Sequence, residues 1–477
     1  MPSSLPDIDR AIAEGHIARA RSLLGEAEGQ AGDVASLQAL AERYIQLGLF
    51  READALYRTA LKLAPHDAGL LYNAATAAVA LGNMAEAERW LDRVITLRPG
   101  DYDAYYNRAT LRRWREDDNH IEAMEALLKA GIPDRKGAVQ LFYALAKEYE
   151  DLGKPEQSFG HLRRGANLRA SMMRYDVRQD VETMAKIAAV FTPHSRHTPA
   201  TDSGSYDTDP ATLSATHATS APHPATPENQ GKPVFIVGLP RTGTTLVDRI
   251  LSSHSEVASL GEISDLASAI VRLAGPVRGR MELIEKSAEI DFVSLSKQYA
   301  RSTSERGLGA PVLIDKTPAN FLYLGIIARA MPHARIIHLK RHPLDACYAI
   351  YKTLFRMGYP YSYRLDQLAE YYIAYDRLMA HWHNVMPGQI LDLQYENLVQ
   401  HTEAEVGNLL KYCGLSWEDA VLSFHENTSP SATASAAQVR RPLYSSSIGR
   451  WREHADDLAP LIERLVSAGI ALEGAPS

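Results

Sequence analysis

Pro233-Val-Phe-Ile-Val-Gly-Leu-Pro-Arg-Thr-Gly-Thr-Thr245 is the most informative stretch of the chain. Residues 234–237 form a short apolar run of the kind that becomes a buried strand in a parallel sheet. The run stops at Gly238, a turn follows, and Leu246-Val247-Asp248-Arg249-Ile250-Leu251 opens a helix. Strand, glycine-bearing turn and helix start together make a phosphate cradle: backbone N–H groups converge on an anion, and the helix dipole favours negative charge there. The spacing Gly238-x4-Gly243-x-Thr245 is that of a Walker A loop with Thr244 in the lysine position. The loop therefore predicts phosphate binding without the usual ATPase chemistry.

Downstream, residues 312–314, 335–339 and 390–394 read as further strands. Residues 319–331, 344–356, 365–383, 403–413 and 456–467 read as helices. Strands alternating with helices predict a doubly wound α/β sheet, which binds ligands beyond the C-terminal ends of its strands. Candidate groups fall at such ends or in the tail. Glu262, 21 residues past Arg241 in a predicted loop, reads as a general base or as a surface carboxylate. Lys316, leaving the second strand in Ile314-Asp315-Lys316-Thr317-Pro318, is placed to stabilise charge on a leaving oxygen, or is a solvated strand-end lysine. Arg341 ends the strand of Ile336-Ile337-His338-Leu339-Lys340-Arg341-His342-Pro343 and suits bidentate phosphate recognition. Lys340, His342 and Asp345 around it read equally as a surface charge cluster. The tail from Ser435 to Trp451 interleaves hydroxyls, glycine and basic residues with Tyr444 and Trp451, a composition suited to a loop folding over a nucleotide phosphate.

Upstream, residues 192–231 are Thr, Ser, Ala, Pro and His without an apolar period, and predict a flexible linker. His194, His197, His217 and His223 fall there without Cys, Asp or Glu at ligand spacing, so no metal site is expected. Before the linker, two segments superimpose at a period of 34: Ala41, Tyr44, Gly48, Ala53, Tyr57, Ala60, Pro65 and Ala75, Ala78, Gly82, Ala87, Leu91, Val94, Pro99. Small residues recur where two helices approach, glycine closes the turn between them and proline stops the second helix, which is the tetratricopeptide pattern. A third copy starts at Tyr105, Tyr106 and Ala109 and diverges after Trp114; a fourth is visible from Ala146 to Gly165, and residues 179–191 read as a capping helix. Such arrays serve as scaffolds or hold a partner protein or peptide. Tyr102, Tyr105, Tyr106 and Arg108 are candidates either for such a groove or for helix–helix core.

The expected architecture is thus α plus α/β: a helical repeat array over 1–191, a linker over 192–231 and a P-loop-like parallel-sheet domain over 232–477. A formal net charge of −7 argues against general nucleic-acid binding. Two cysteines provide no disulfide framework, and no apolar run reaches the ~18 residues of a membrane span. The start, Met-Pro-Ser-Ser-Leu-Pro-Asp, lacks a signal-peptide pattern, so the expected location is cytoplasmic.

In order, these elements resemble the sulfotransferases, and within them the tyrosylprotein sulfotransferase-like branch and bacterial proteins that join tetratricopeptide repeats to such a domain. The resemblance covers residues 232–455, with the repeats as a known companion. It implies 3′-phosphoadenylyl sulfate (PAPS) as donor, adenosine 3′,5′-bisphosphate (PAP) as product, and no metal. Arg241, Thr242, Gly243, Thr244 and Thr245 match the family's 5′-phosphosulfate loop, Glu262 its catalytic glutamate and Lys316 its catalytic lysine, although Lys-Asp-Pro is usual where Lys316-Thr317-Pro318 stands. Arg341 matches the 3′-phosphate arginine, Tyr395 a cofactor-contacting tyrosine, Ser435 a residue credited with transition-state stabilisation, and Arg450 a cofactor-binding lysine. The usual second 3′-phosphate ligand, a serine, is Ala349 here; Lys352 or the tail serines are candidates to compensate. The implied acceptor is a protein tyrosine recruited by the repeats, with a carbohydrate or small molecule as the enzymatic alternative. An interaction scaffold with an inactive transferase domain, and a P-loop kinase, are the readings from other classes; Ala349 favours the first of these and Thr244 speaks against the second.

Overall fold

A computed structural model describes residues 4–192, 232–306, 308–355 and 358–472. The four linker histidines lie outside them, as does the expected linker except Thr192. The first part of the chain is helical: α1 (Leu5–Ala13), α2 (Ile17–Glu28), α3 (Val34–Gln46), α4 (Phe50–Leu63), α5 (Ala68–Leu81), α6 (Met84–Leu97), α7 (Tyr102–Ala109), α8 (Ile121–Ala130), α9 (Arg135–Asp151), α10 (Pro155–Ser171) and α11 (Arg178–Val190). The repeat pairs are α3–α4 and α5–α6. Ala41, Ala53, Ala60, Ala75, Ala78 and Ala87 are all fully or nearly fully buried, which is why only small side chains recur at those positions. Gly82 ends α5 at φ 90°, a left-handed cap open to glycine. The pair α1–α2 extends the array ahead of the first sequence-visible copy. The third copy departs because α7 stops at Ala109; Trp114 then buries its ring, donating its indole N–H to the Ala109 carbonyl (2.9 Å), and a tight Arg115–Asp118 bridge leads into α8.

The second part follows as β1 (Lys232–Gly238), α12 (Thr244–Leu251), β2 (Val257–Ser259), α13 (Asp265–Ala274), α14 (Arg280–Ser287), α15 (Phe292–Ser304), β3 (Val312–Asp315), α16 (Leu324–Ala330), β4 (Arg335–Lys340), α17 (Pro343–Tyr351), α18 (Leu365–Val385), β5 (Ile390–Gln394), α19 (Tyr395–Gln400), α20 (Thr402–Cys413) and α21 (Ala459–Ser467). The five strands are all parallel in the order β2-β3-β1-β4-β5. The chain leaves β1 toward one edge and crosses to its other side between β3 and β4, so β1 ends at the reversal point where such sheets bind ligands. The strands read from sequence are all present. The short edge strand β2 and helices α13–α15 and α19 are the additions, and the helix expected over 319–331 begins as a 3₁₀ turn, Pro318–Tyr323, before α16.

The array docks directly on the sheet domain. One hydrophobic core takes in Val139, Tyr143, Phe159, Met184 and Ile187 of α9–α11 together with Phe235, Leu344, Tyr348 and Trp382. Phe191, the last residue of the expected capping helix and the first past α11, wedges against Trp382 (centroids 6.1 Å) and stands where a Cβ on Gly325 would come within 2.6 Å of its ring. Its carbonyl also meets His381 Nε2 at 2.8 Å. Of the four residues considered for a partner groove, Tyr105 and Arg108 are buried, the latter paired with Asp92 at 2.7 Å. Tyr106 accepts the Leu354 N–H at 3.1 Å, across the junction with the sheet domain. Replacing Phe191 by Ala should leave a void between α11, α16 and α18 and destabilise the protein by roughly 3–5 kcal/mol. Urea unfolding of the full chain measures this; a change under about 0.5 kcal/mol would mean the junction contributes nothing.

Candidate functional site

The turn after β1 is built by backbone constraint. Gly238 has φ 150°, and a Cβ there would lie 2.8 Å from the Leu339 carbonyl oxygen of β4. Gly243, at φ 110°, precedes the first residue of α12, and a Cβ there would come within 2.7 Å of the Tyr395 ring. Between them Arg241 adopts φ 68°, a left-handed conformation that costs a non-glycine residue about 1 kcal/mol or more. The turn is held by Thr242, whose hydroxyl donates to the Leu239 carbonyl at 2.8 Å. Thr242 and Thr244 are buried, and the loop leads straight into the start of α12, whose first N–H groups lack intrahelical acceptors.

Arg241 and Arg341 tie this loop to the other strand ends. Arg241 donates to the Ser435 hydroxyl and to Gln438 Oε1 (2.7 Å). Arg341 donates to the Arg241 carbonyl (3.0 Å) and the Ser447 carbonyl (2.6 Å), with its guanidinium 4.9 Å from the centre of the Tyr395 ring. The Tyr395 hydroxyl meets Ser447 Oγ at 3.0 Å, and Thr245 meets Thr433 at 3.3 Å. The tail reaches the loop because Asp345, fully buried in the first turn of α17, accepts the N–H groups of Gly449 (2.6 Å) and Trp451 (3.2 Å). The Trp451 ring stacks on His342 at 5.6 Å. Arg249 and Arg440 anchor the other end, donating to the Asn427 carbonyl at 3.2 and 3.5 Å, and Arg440 also reaches the Ala80 carbonyl of α5 at 2.9 Å.

These groups enclose a cavity of about 470 Å³ lined by Arg241, Gly243, Thr245, Arg341, Tyr395, Ser435 and Arg450, and by Lys352 and Ala349. Eight basic side chains face it against three carboxylates, in a chain whose formal net charge is −7. Such focusing makes it an anion site. The buried Nε atoms of Arg241 and Arg341 have no hydrogen-bond partner. Orphaned guanidinium donors beside a glycine cradle suit a polyanion with phosphate oxygens.

Glu262 and Lys316 form a second cluster, outside the lining of this cavity. Lys316 is only 1% exposed, and its ammonium donates to Glu262, whose side chain is 45% exposed. Hydrogen bonding fixes the approach of the two loops: the Lys316 N–H donates to the Gly261 carbonyl (3.0 Å) and the Ile263 N–H to Thr317 Oγ1 (3.2 Å). Two carboxylates that sequence reasoning passed over flank the pair. Asp248 on α12 is buried, which pushes its carboxyl pKa up while the Lys316 charge pulls it back. Burial pushes the Asp315 carboxyl up to about 7, against hydrogen bonds from Thr317 (2.7 Å) and Tyr299 (3.0 Å). Asp248 lay inside an ordinary apolar helix pattern and Asp315 at a strand end; neither carries a local signal. Elsewhere, His338, His383 and Asp392 place three potential metal-ligating atoms within 4.8 Å of one another, with Asp392 meeting the imidazoles at 2.7 and 3.1 Å and Lys340 at 3.6 Å.

Residues 233–419 match the model of the sulfotransferase family, and residues 49–111 that of the tetratricopeptide repeat. The C-terminal part of this chain carries a sulfotransferase domain. An uncharacterized protein of Aquifex aeolicus is 28% identical over 426 residues, covering 87% of this chain. The chain spans about half the length of that relative (52%). A putative protein-tyrosine sulfotransferase of Caenorhabditis briggsae is 26% identical over 49% of this chain and 88% of its own length. Protein-tyrosine sulfotransferase 2 of Gallus gallus is 23% identical over 49% and 68%. A sulfotransferase domain from the Synechococcus PCC 7002 olefin synthase aligns in structure over 50% of this chain and 97% of its own, at 18% identity and a TM-score of 0.35. No helix among the described residues is long and apolar enough to cross a membrane.

Asp345→Ala should release the tail of the sulfotransferase domain, because two charge-assisted hydrogen bonds of roughly 1.5–3 kcal/mol each are lost. Hydrogen exchange of the amides of 445–452 is expected to accelerate at least about tenfold. Unchanged protection would mean that Asp345 does not hold the tail.

Proposed function

We propose that the chain transfers a sulfuryl group from PAPS to an acceptor hydroxyl, with a protein tyrosine as the acceptor. The observation that carries the reading is the pairing of a glycine cradle and orphaned Arg241 and Arg341 donors with a buried lysine held by one exposed carboxylate. The donor fits the residues present. The amides of 242–245 would hold the 5′-phosphosulfate and Arg341 the 3′-phosphate, with the Tyr395 ring, Arg450 and the tail serines beside them. PAPS, when bound, supplies an activated sulfuryl group whose transfer leaves PAP.

The chain's own residues supply the rest. Glu262 takes the acceptor's hydroxyl proton; a phenol of pKa ~10 ionises too little at neutral pH to react unaided. As its carboxylate gains that proton, its hold on the Lys316 ammonium weakens, and Lys316 is free to donate to the departing oxygen. Ser435, aligned by Arg241, adds a second donor there. Burial of Lys316 strengthens this stabilisation, since charge–charge energies rise as water is excluded. Thr244 fits the same reading: a P-loop lysine reaches the β- and γ-phosphates of a triphosphate, which this donor lacks. A tyrosine acceptor is supported by the protein-tyrosine sulfotransferases among the relatives and by the presence of a repeat array, a kind of scaffold that holds peptides or partner proteins. The proposed division is a repeat array over 1–191 and a transferase domain over 232–477.

Glu262→Gln is expected to lower transfer from radiolabelled PAPS by ~10²–10⁴-fold, the usual worth of general-base assistance. PAP binding by calorimetry should be unchanged, since Glu262 lies outside the lining of the anion cavity. Full transfer activity in this variant would remove Glu262 from the mechanism.

A further inference from the structure

We propose that the repeat array is a working wall of the donor site, in which Glu150, at the end of α9, positions Lys352 and Arg450 for the 3′-phosphate of the nucleotide. The inference rests on the donor reading above and assigns to that site a residue far outside the sulfotransferase domain.

The carboxylate of Glu150 accepts from Lys352 Nζ at 2.7 Å through Oε1 and 3.0 Å through Oε2. Arg450 Nε stands 3.6 Å from the same Oε1, and Arg450 also donates to the Glu150 carbonyl at 3.4 Å. The Tyr348 hydroxyl donates to Oε1 at 3.1 Å and meets His454 Nε2 at 2.8 Å, which fixes the carboxylate from the α17 side. Glu150, Lys352, Arg450, Arg341 and Ala349 all line the one cavity. Burial pushes the Glu150 carboxyl up, but Lys352, then Arg450 and Lys147, pull it down to about 2, so it is charged at neutral pH.

Of the other basic groups that the array turns toward this wall, Arg113 donates to the Asp151 carbonyl at 3.4 Å, and two are committed to carboxylates. Arg112 is paired with Glu88 (2.9 Å) and Asp118 (2.8 Å), and Lys147 with Asp151 and the Arg112 carbonyl. Lys352 and Arg450 differ: they share the single carboxylate of Glu150, with Glu453 on the outer side of Arg450 at 3.4 Å. Burial lowers the Lys352 pKa and the nearby charges of Arg450 and Arg341 add to this; Arg341 is hydrogen-bonded to two carbonyls rather than to a carboxylate. Three cations therefore converge beside Ala349, where a side-chain hydroxyl is missing; Lys352 and Arg450 share the Glu150 carboxylate and Arg341 has no carboxylate partner. A phosphate dianion would complete the charge balance without displacing Glu150. A lysine ammonium on a flexible four-carbon stem is a weak phosphate ligand unless something holds it, and Glu150 does so from the neighbouring α9.

The test uses the full chain and isothermal calorimetry with two probes that differ only in the 3′-phosphate, PAP and adenosine 5′-monophosphate. Glu150→Gln is expected to weaken PAP binding at least tenfold while 5′-monophosphate binding stays within twofold, so the ratio of the two affinities collapses. The retained 5′-monophosphate affinity also reports that the variant is folded. Lys352→Gln should produce the same selective loss, and the double variant should lose no more than the larger single loss. Undiminished or tighter PAP binding in Glu150→Gln would overturn the proposal, the latter by making Glu150 a competitor of the phosphate. So would an equal loss of both probes, which marks a structural role. A wild-type chain that does not prefer PAP over the 5′-monophosphate would instead overturn the donor reading itself, and this inference with it.

Discussion

The Arg341 guanidinium is where four parts of the chain meet. It follows β4, donates to the carbonyl of Arg241 in the turn after β1, donates to the Ser447 carbonyl of the tail, and lies over the Tyr395 ring that follows β5. The conformation of the turn depends on this contact. Arg241 takes a left-handed backbone, which a non-glycine residue holds only when surroundings over-determine it. Arg341 on its carbonyl, and Ser435 and Gln438 on its side chain, are those surroundings. The cradle, the tail and the two strand ends are thus one hydrogen-bonded unit, and each is shaped only in the presence of the others.

The second constraint comes from the array. Its helices α9–α11 share a hydrophobic core with the sheet domain, so the wall that Glu150 contributes is held by packing and not by an ion pair alone. Buried charges are stable only when paired and hydrogen-bonded. Glu150 meets both conditions through Lys352, Arg450 and Tyr348. A repeat array that would ordinarily be read as a separate adaptor is here part of the cleft.

Much of this was legible in the sequence, for identifiable reasons. The turn after β1 is local: its glycines are required by backbone geometry, and their spacing shows it. The strands β1, β3 and β4 are largely buried and read as short apolar runs, and the edge strand β5 is marked by Ile390, Leu391 and Leu393; β2, three residues on the other edge, gives no such run. Helices α13–α15 and α19 go beyond the elements the sequence pattern predicts, and the tail has no period, so its path over the loop follows from Asp345, a residue whose role depends on two distant N–H groups. The family resemblance matches Glu262 and Lys316 separately to a catalytic glutamate and a catalytic lysine; their contact is seen only in the structure. Glu150 had no signal at all. It sits in an unremarkable repeat helix, and only tertiary docking sets it opposite Lys352. The same docking was hidden by a long segment without apolar pattern between the two parts, which permits a free arrangement but does not require one.

The central claim is that the phosphate loop belongs to a 3′-phosphorylated nucleotide and not to a nucleoside triphosphate with metal. Calorimetric titration of the full chain with PAP, and separately with ATP and Mg²⁺, tests it most directly. The account predicts saturable binding of PAP without added metal and no binding of ATP–Mg²⁺ in the same concentration range. Binding of ATP–Mg²⁺ with no response to PAP would contradict it.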